Sequence, residues 1–262
     1  MNNQPRPNVL CFSGHDPSGG AGIQADIETI ISLQGHCCSV ITALTEQDSR
    51  NVKRIIPQQP DDIRQQVQTL LADFPIAAIK IGLIGHVDTA YVIHEILQAY
   101  PHLPVILDPI LAAGGGAPLA NQALQTAIVD LLLPYSRVLT PNSPEARQLA
   151  QQDELAACGL KLQELGAEYV LITGTHETSE IVHNHLTMPD GLTQIFNWER
   201  LPHSYHGSGC TLASAIAALM AQGLDAFTAI SEAQDYTWQS LQNAYRPGQG
   251  QYNPQRLFWV DA

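Results

Sequence analysis

The sequence predicts an α/β fold built on a doubly wound, mostly parallel sheet, and three observations predict it. Short apolar runs alternate with longer stretches of helical periodicity as far as residue 173. Several of these runs end in Gly, Asp-Pro or Pro-Asn, where a strand has to give way to a loop. With 45% apolar residues, the chain of 262 can bury a substantial core, and no linker, repeat or low-complexity tract divides it. One domain spanning 1–262 is therefore expected.

Strands are expected at 9–13, 39–44, 77–81, 105–107, 138–140 and 169–173. Helix patterns lie between them at 21–33, 60–74, 87–99, 119–133, 144–150 and 154–165. Strand-then-helix repetition of this kind gives parallel strands with helices on both faces of the sheet. After residue 173 the order changes. Segments 181–186 and 192–197 flank Pro189-Asp190-Gly191, a turn sequence, so an antiparallel hairpin is expected near the C-terminus. Two helices should follow, at 211–222, stopped by Gly223, and at 226–245.

Charge and cysteine content restrict the partners. The formal net charge is −13 with only 12 Lys plus Arg, which disfavours non-specific nucleic-acid binding. An acidic chain that binds phosphate must rely on backbone amides, helix N-termini and metal. The five cysteines are odd in number and lack zinc-type spacing, which argues for free thiols in a reducing compartment. Residues 1–7 carry no apolar signal core, and no apolar run approaches the roughly 20 residues of a membrane span. A soluble cytoplasmic protein is expected.

Two glycine-rich segments stand where chemistry is expected. His206-Gly207-Ser208-Gly209-Cys210-Thr211 runs into a small, apolar helix pattern, so its glycines sit at a helix N-terminus. Free N–H groups and the helix dipole there make an anion site for a phosphate, and the same dipole favours the Cys210 thiolate. A base beside an anion hole suits deprotonation of an alcohol that attacks a γ-phosphate. On spacing alone, a glycine-permitted helix start with an inert, buried cysteine fits equally well. The second segment, Gly14 to Asp26, follows the first strand and opens the first helix, where α/β sheets place ligands. It contains Gly19, Gly20 and Gly22 but matches neither the dinucleotide fingerprint nor the P-loop. Asp108-Pro109 and Thr140-Pro141-Asn142-Ser143-Pro144-Glu145 end two further strands. Asn142 and Glu145 suit either a helix cap or metal-bound water near phosphates.

Together these segments resemble the hydroxymethylpyrimidine/phosphomethylpyrimidine kinases of the ribokinase superfamily, from Val9 to about Tyr245. The quoted stretches are Gly14 to Asp26, Ser39 to Gln47, Asp108-Pro109, Thr140-Pro141-Asn142 with Glu145, and His206 to Thr211, in family order. The resemblance implies a ribokinase-like fold, a homodimer, and two successive phosphoryl transfers from ATP with Mg²⁺. The acceptors would be 4-amino-5-hydroxymethyl-2-methylpyrimidine and then its monophosphate. It further implies Cys210 as base, with Gly207 and Gly209 forming the anion hole. Asp16, Gly19, Gly20, Ala21, Asp26 and Gln47 would contact the pyrimidine. Asp108, Asn142, Glu145, Thr173, Gly174 and Ser208 would face the nucleotide phosphates, with Asp108 and Glu145 reaching the metal through water.

The chain departs from that pattern at two places. Ala112-Ala113-Gly114-Gly115-Gly116 stands where the family has Lys-Ser-Gly, and Ile172-Thr173-Gly174-Thr175-His176 where it has Val-Lys-Gly-Gly-His. Lys53, Lys80 and Lys161 are the only lysines, so neither phosphate-facing lysine is expected. A pyridoxine/pyridoxal-type kinase and a weakly active paralogue that binds a thiamine precursor are the alternatives. His183 and His185 alternate on the expected hairpin without a third metal ligand nearby. His206 beside Cys210 also fits a Cys/His hydrolase, which leaves the other ligand loops unexplained.

Overall fold

Val9 and Cys11 face one side of the first strand and Leu10 and Phe12 the other, and all four are fully buried. Burial on both sides is what a central parallel strand requires, and an uninterrupted apolar run supplies it. In the computed structural model, which describes residues 6–260, this strand is β1 (Asn8–His15). The others are β2 (His36–Gln47), β3 (Val52–Pro57), β4 (Ile76–Ile81), β5 (Val105–Leu107), β6 (Val138–Leu139), β7 (Tyr169–Ile172), β8 (Ile181–Thr187) and β9 (Thr193–Glu199). They form one sheet in the order β3-β2-β1-β4-β5-β6-β7-β8-β9. The six neighbours from β2 to β7 are parallel, whereas β3, β8 and β9 pair antiparallel.

Helices α1 (Gly22–Ser32), α7 (Ser208–Ala221) and α8 (Ala226–Gln242) cover one face, packing on Val9, Cys11, Ala78, Ile106 and Leu171. The other face meets α2 (Pro60–Asp73), α3 (Val87–Ala99), α4 (Gln122–Ala127), α5 (Ser143–Ala150) and α6 (Leu155–Glu164) on Leu10, Phe12, Ile79, Leu107 and Val170. The expected doubly wound sheet with its hairpin of β8 and β9 is thus present. Among the described residues, no helix is long and apolar enough to cross a membrane.

Three details differ from the sequence expectation. Strand β3 went unread because Lys53 and Arg54 interrupt it, and at the sheet edge it has no buried face to impose alternation. The helix expected at 119–133 starts at Asn121, whose side chain accepts from the Leu124 N–H. It widens into a π turn over Ile128–Leu132 and tightens over Leu133–Tyr135, where Pro134 cannot donate to the ladder. The last helix stops at Gln242 rather than 245.

Chain order reverses direction across the sheet beside β1, since β2 lies on one side and β4 on the other. A crevice opens at such a switch point, outside the carboxyl ends of the strands. Beneath it lies a buried ion pair. Lys80 Nζ of β4 donates to both carboxylate oxygens of Asp26 in α1, at 2.9 and 3.0 Å, and to Ser13 Oγ of β1 at 3.0 Å. Ser214 of α7 donates to the same carboxylate at 2.7 Å, and Ser13 donates to it as well. Lys80 and Asp26 are both inaccessible to solvent.

Breaking a buried pair by removing one partner leaves an uncompensated charge and costs about 3–5 kcal/mol. Lys80→Met is therefore expected to destabilise the fold by that amount in urea titration. The double variant Lys80→Met/Asp26→Leu removes both charges and should recover more than half of the loss. Equal destabilisation of the single and double variants would contradict the coupling.

Candidate active site

Asp16 follows β1 and is 1% exposed. Its Oδ1 accepts from the Ser18 N–H at 2.8 Å and the Ser18 hydroxyl at 2.7 Å. Its Oδ2 accepts from the Gly20 N–H at 3.0 Å, the Ala21 N–H at 2.8 Å and His206 Nε2 at 2.9 Å. Burial opposes ionisation, but the His206 and Ser18 hydrogen bonds outweigh it and carry Asp16 down to about 2. The carboxylate is the knot of the first glycine loop. The expectation of direct ligand contact changes accordingly: the polar atoms of Asp16 and the amides of Gly20 and Ala21 are spent on shaping the loop.

The second glycine segment closes on the first. Gly207 has φ +81°, and a Cβ there would lie 2.0 Å from the Gly20 carbonyl oxygen. Only glycine fits both constraints. Helix α7 then begins at Ser208 with no side-chain cap, so the first turn, which carries Gly209 and Cys210, has amides without a capping side chain. The carboxylate of Asp108, at the end of β5, lies under Gly209, 3.8–3.9 Å from where a Cβ would stand. His206, the candidate partner of Cys210 in a hydrolase, is bound to Asp16 instead. A residue without any sequence signal completes the junction. Arg256, 1% exposed, donates to Gly20 O at 2.6 Å, Thr211 Oγ1 at 2.9 Å and Glu28 Oε2 at 2.8 Å. It lies in a C-terminal tail without periodicity, so no pattern could have found it.

The electrostatics differ from the expectation for Cys210. Burial pushes its thiol up to about 12, and the Asp108 and Asp26 carboxylates add to this while Lys80 and the Gly22 N–H oppose it. Desolvation and two nearby anions outweigh the helix dipole, so the resting residue is a thiol. Burial also raises Asp108 to about 6, against the pull of Lys80. Glu145 goes up to about 8 through burial and the Asp108 charge, although the Asn142 and Leu111 amides stabilise its anion. Desolvation disfavours the charged form of Lys80, yet Asp26, Cys210 and Asp108 together raise its pKa.

Glu145 and Asn142 form a reciprocal capping box at the start of α5. Asn142 Oδ1 accepts from the Glu145 N–H at 2.9 Å, and Glu145 Oε2 accepts from the Asn142 N–H at 3.0 Å. Glu145 Oε1 also accepts from the Leu111 N–H at 3.1 Å, which ties the loop after Asp108 to α5. Capping and a place beside Asp108 therefore coexist. Asp108 Oδ2 is buried and accepts no hydrogen bond from a described residue. Thr173 pairs with Asn142, but its N–H donates to Pro141 O and that of Gly174 to Asn184 Oδ1, at 3.0 Å each, so neither amide is free for phosphate. Asp26 is likewise committed, because its two oxygens accept the four hydrogen bonds of the buried cluster, the full capacity of a carboxylate. Gln47 is half-buried at the end of β2 and donates to Thr45 Oγ1 at 2.8 Å, which in turn donates to His15 O.

These shifts fix a pH dependence. Asp108 and Glu145 bind protons more tightly folded than unfolded, so the stability they confer is complete below the ordinary carboxylate range and lost as pH rises through about 6 and about 8. Asp16 acts in the opposite sense, and its contribution is lost as pH falls towards about 2. Urea midpoints should therefore decline from pH 5 to 9 in the native protein, and Glu145→Gln should flatten the decline. An unchanged slope in that variant would exclude Glu145 as its source.

The chain is similar to known proteins along most of its length. The family profile described as phosphomethylpyrimidine kinase matches residues 16–255. The hydroxymethylpyrimidine/phosphomethylpyrimidine kinase of Escherichia coli is 34% identical over 245 residues, covering 91% of this chain and 92% of that protein. A bifunctional thiamine biosynthesis protein of Geobacter sulfurreducens is 33% identical over 251 residues, covering 94% of this chain, which spans 51% of its length. The structure of Bacillus subtilis pyridoxal kinase in complex with ADP superposes with a TM-score of 0.89 at 27% identity, over 96% of this chain and 97% of that one. With the match running from the Asp16 knot to the tail beside Arg256, the chain belongs to the phosphomethylpyrimidine kinase family.

Proposed function

We propose that this chain transfers the γ-phosphoryl group of ATP to the hydroxyl of 4-amino-5-hydroxymethyl-2-methylpyrimidine and then to the phosphate of the product, in the synthesis of thiamine diphosphate. The observation that carries this reading is the uncapped first turn of α7, with Cys210, closed against the Asp16 loop in a member of this family. The amides of Gly207 to Cys210 are suited to hold the transferring phosphoryl group, whose charge is spread over its oxygens. In the first transfer Cys210 acts as the thiolate: its thiol proton is lost to solvent once the site is filled, and Sγ then takes the proton of the substrate O–H as the new O–P bond forms and the bond to ADP breaks. In the second transfer a phosphate oxygen is the nucleophile and needs no comparable base.

The residues present fit a magnesium ion. Asp108 has a buried oxygen that accepts no hydrogen bond from a described residue, and Glu145 stands near enough for the Asp108 charge to add to the effect of burial in raising its pKa. Mg²⁺ characteristically takes one or two carboxylates together with substrate phosphates and water, and here it would supply charge neutralisation. Burial and, after it, the Asp108 charge hold Cys210 as a thiol, so a magnesium ion entering with the nucleotide would offset that carboxylate and favour the thiolate. The base is thereby coupled to occupancy of the phosphate site. The likeness to a pyridoxal kinase supports pyridoxal as a second acceptor. Purified protein with ATP, Mg²⁺ and each heterocycle, with products resolved by mass, tests both readings. Absence of any phosphorylated heterocycle would overturn them.

Cys210→Ala should lower turnover of the alcohol by about 10²–10⁴-fold, the range for a positioned base. It should affect the second transfer much less, as single-turnover assays on the monophosphate will show. Wild-type alcohol turnover in a folded Cys210→Ala protein would remove Cys210 from the mechanism. Absence of lysine at 112–116 and at Thr173 leaves fewer cations for a substrate that already carries a phosphate. Diphosphate formation should therefore be slower than monophosphate formation, and Thr173→Lys should accelerate it by about tenfold. Comparable rates for both transfers in the native protein would show that other groups supply that charge.

A further inference from the structure

Arg256 stands at a junction that the chemistry does not itself explain. It is a buried cation, 1% exposed, close to the end of the chain, and its three donor directions reach three different elements. One Nη donates to the Gly20 carbonyl in the first glycine loop, at 2.6 Å. The other pairs with Glu28 of α1 at 2.8 Å. Nε donates at 2.9 Å to Thr211 Oγ1, and the same hydroxyl donates at 2.8 Å to the Gly207 carbonyl. The main chain of Arg256 is fixed as well, because its carbonyl accepts from Ser32 Oγ and Tyr236 OH, both at 2.8 Å.

Gly207 is the residue most sensitive to this frame. It holds φ +81°, and its Cα hydrogens face the Gly20 carbonyl and the Arg256 guanidinium, whose Nη2 is 2.9 Å from where a Cβ would be. The direction of the Gly207, Ser208 and Gly209 amides is set by this peptide. Thr211, which buttresses it, is held in turn by Arg256. A planar fork held by carbonyl, hydroxyl and carboxylate loses little freedom per bond formed and transmits position well. The geometry points to Arg256 as a positioning residue that orients the anion hole at the start of α7 and places a fixed positive charge behind it. This rests on the proposed kinase function for its catalytic consequence, whereas its effect on anion binding does not.

The test compares native protein, Arg256→Met and Arg256→Lys by kinetics with ATP and the hydroxymethylpyrimidine, and by thermal unfolding with and without inorganic phosphate. A misdirected hole costs about 10²-fold in turnover, so Arg256→Met should lose that factor in kcat while KM for the pyrimidine stays within about threefold. Arg256→Lys retains the charge without the fork and should recover about tenfold of the loss. Inorganic phosphate should raise the melting temperature of the native protein, less that of Arg256→Lys, and leave Arg256→Met unmoved. A purely structural role predicts a lower melting temperature with kcat unchanged at temperatures where the variant is folded, and that result overturns the assignment. An equal phosphate shift in all three proteins overturns it too. If the native protein phosphorylates no heterocycle, the kinase reading falls separately, and the phosphate shift alone decides the role of Arg256.

Discussion

The buried contact between Lys80 and Asp26 holds the working end of the molecule together. Removing both charges from water is costly, and attraction repays that cost only where the geometry is good and the remaining hydrogen-bonding capacity is used. Here Lys80 binds both oxygens of Asp26, and the hydroxyls of Ser13 and Ser214 take up the rest. The four residues come from β1, α1, β4 and α7, so a single cluster fixes the spacing of the elements that border the crevice. Ser214 is one helical turn beyond Cys210. The height of α7 over the sheet, and with it the position of its first amides, follows from that anchor.

Above the cluster, backbone rather than side chains does most of the assembling. The first glycine loop wraps around the Asp16 carboxylate and the second lies against the Gly20 carbonyl at Gly207, so the two loops behave as one rigid floor. Rigidity matters for phosphoryl transfer, because donors already aimed at the developing charge need no reorganisation. It also explains why several residues expected to touch ligand turn out to serve one another. A carboxylate that accepts four hydrogen bonds from its own loop and one from His206, as Asp16 does, has nothing left for a substrate.

The parts legible in the sequence were those governed by local periodicity or by a backbone requirement. The apolar runs of β1, β4 and β5 and the small-residue face of α7 declare two-sided burial, the glycines at 20, 22 and 207 mark where chain must approach chain, and Gly19 supplies a positive φ. Strand β3 was silent because an edge position asks little of its side chains, and Arg256 because a tail pinned by tertiary contacts needs no period. Protonation was the least legible property. A helix start normally favours a thiolate, and residue spacing cannot reveal that Asp108 and Asp26 stand close enough, in a dry enough setting, to reverse it.

The likeness to a pyridoxal kinase bears on substrate choice in a limited way. What the two chains share is the fold, which under the proposed function would serve the phosphates and the reacting hydroxyl, and these are common to alcohols on many rings. A fold of this kind does not select its heterocycle. Under the proposed function, selection falls to side chains at the ends of β1 and β2. Gln47 donates to Thr45, which donates to the carbonyl of His15, and the proposed function assigns the amide oxygen of Gln47 to a donor on the ring. An exocyclic amine supplies such a donor, whereas a phenolic oxygen offers a proton only while it stays neutral. Under the proposed function, the hydrogen bonding of Gln47 would favour the aminopyrimidine over a pyridoxal-like ring, and the discrimination would reside in one amide rather than in the fold.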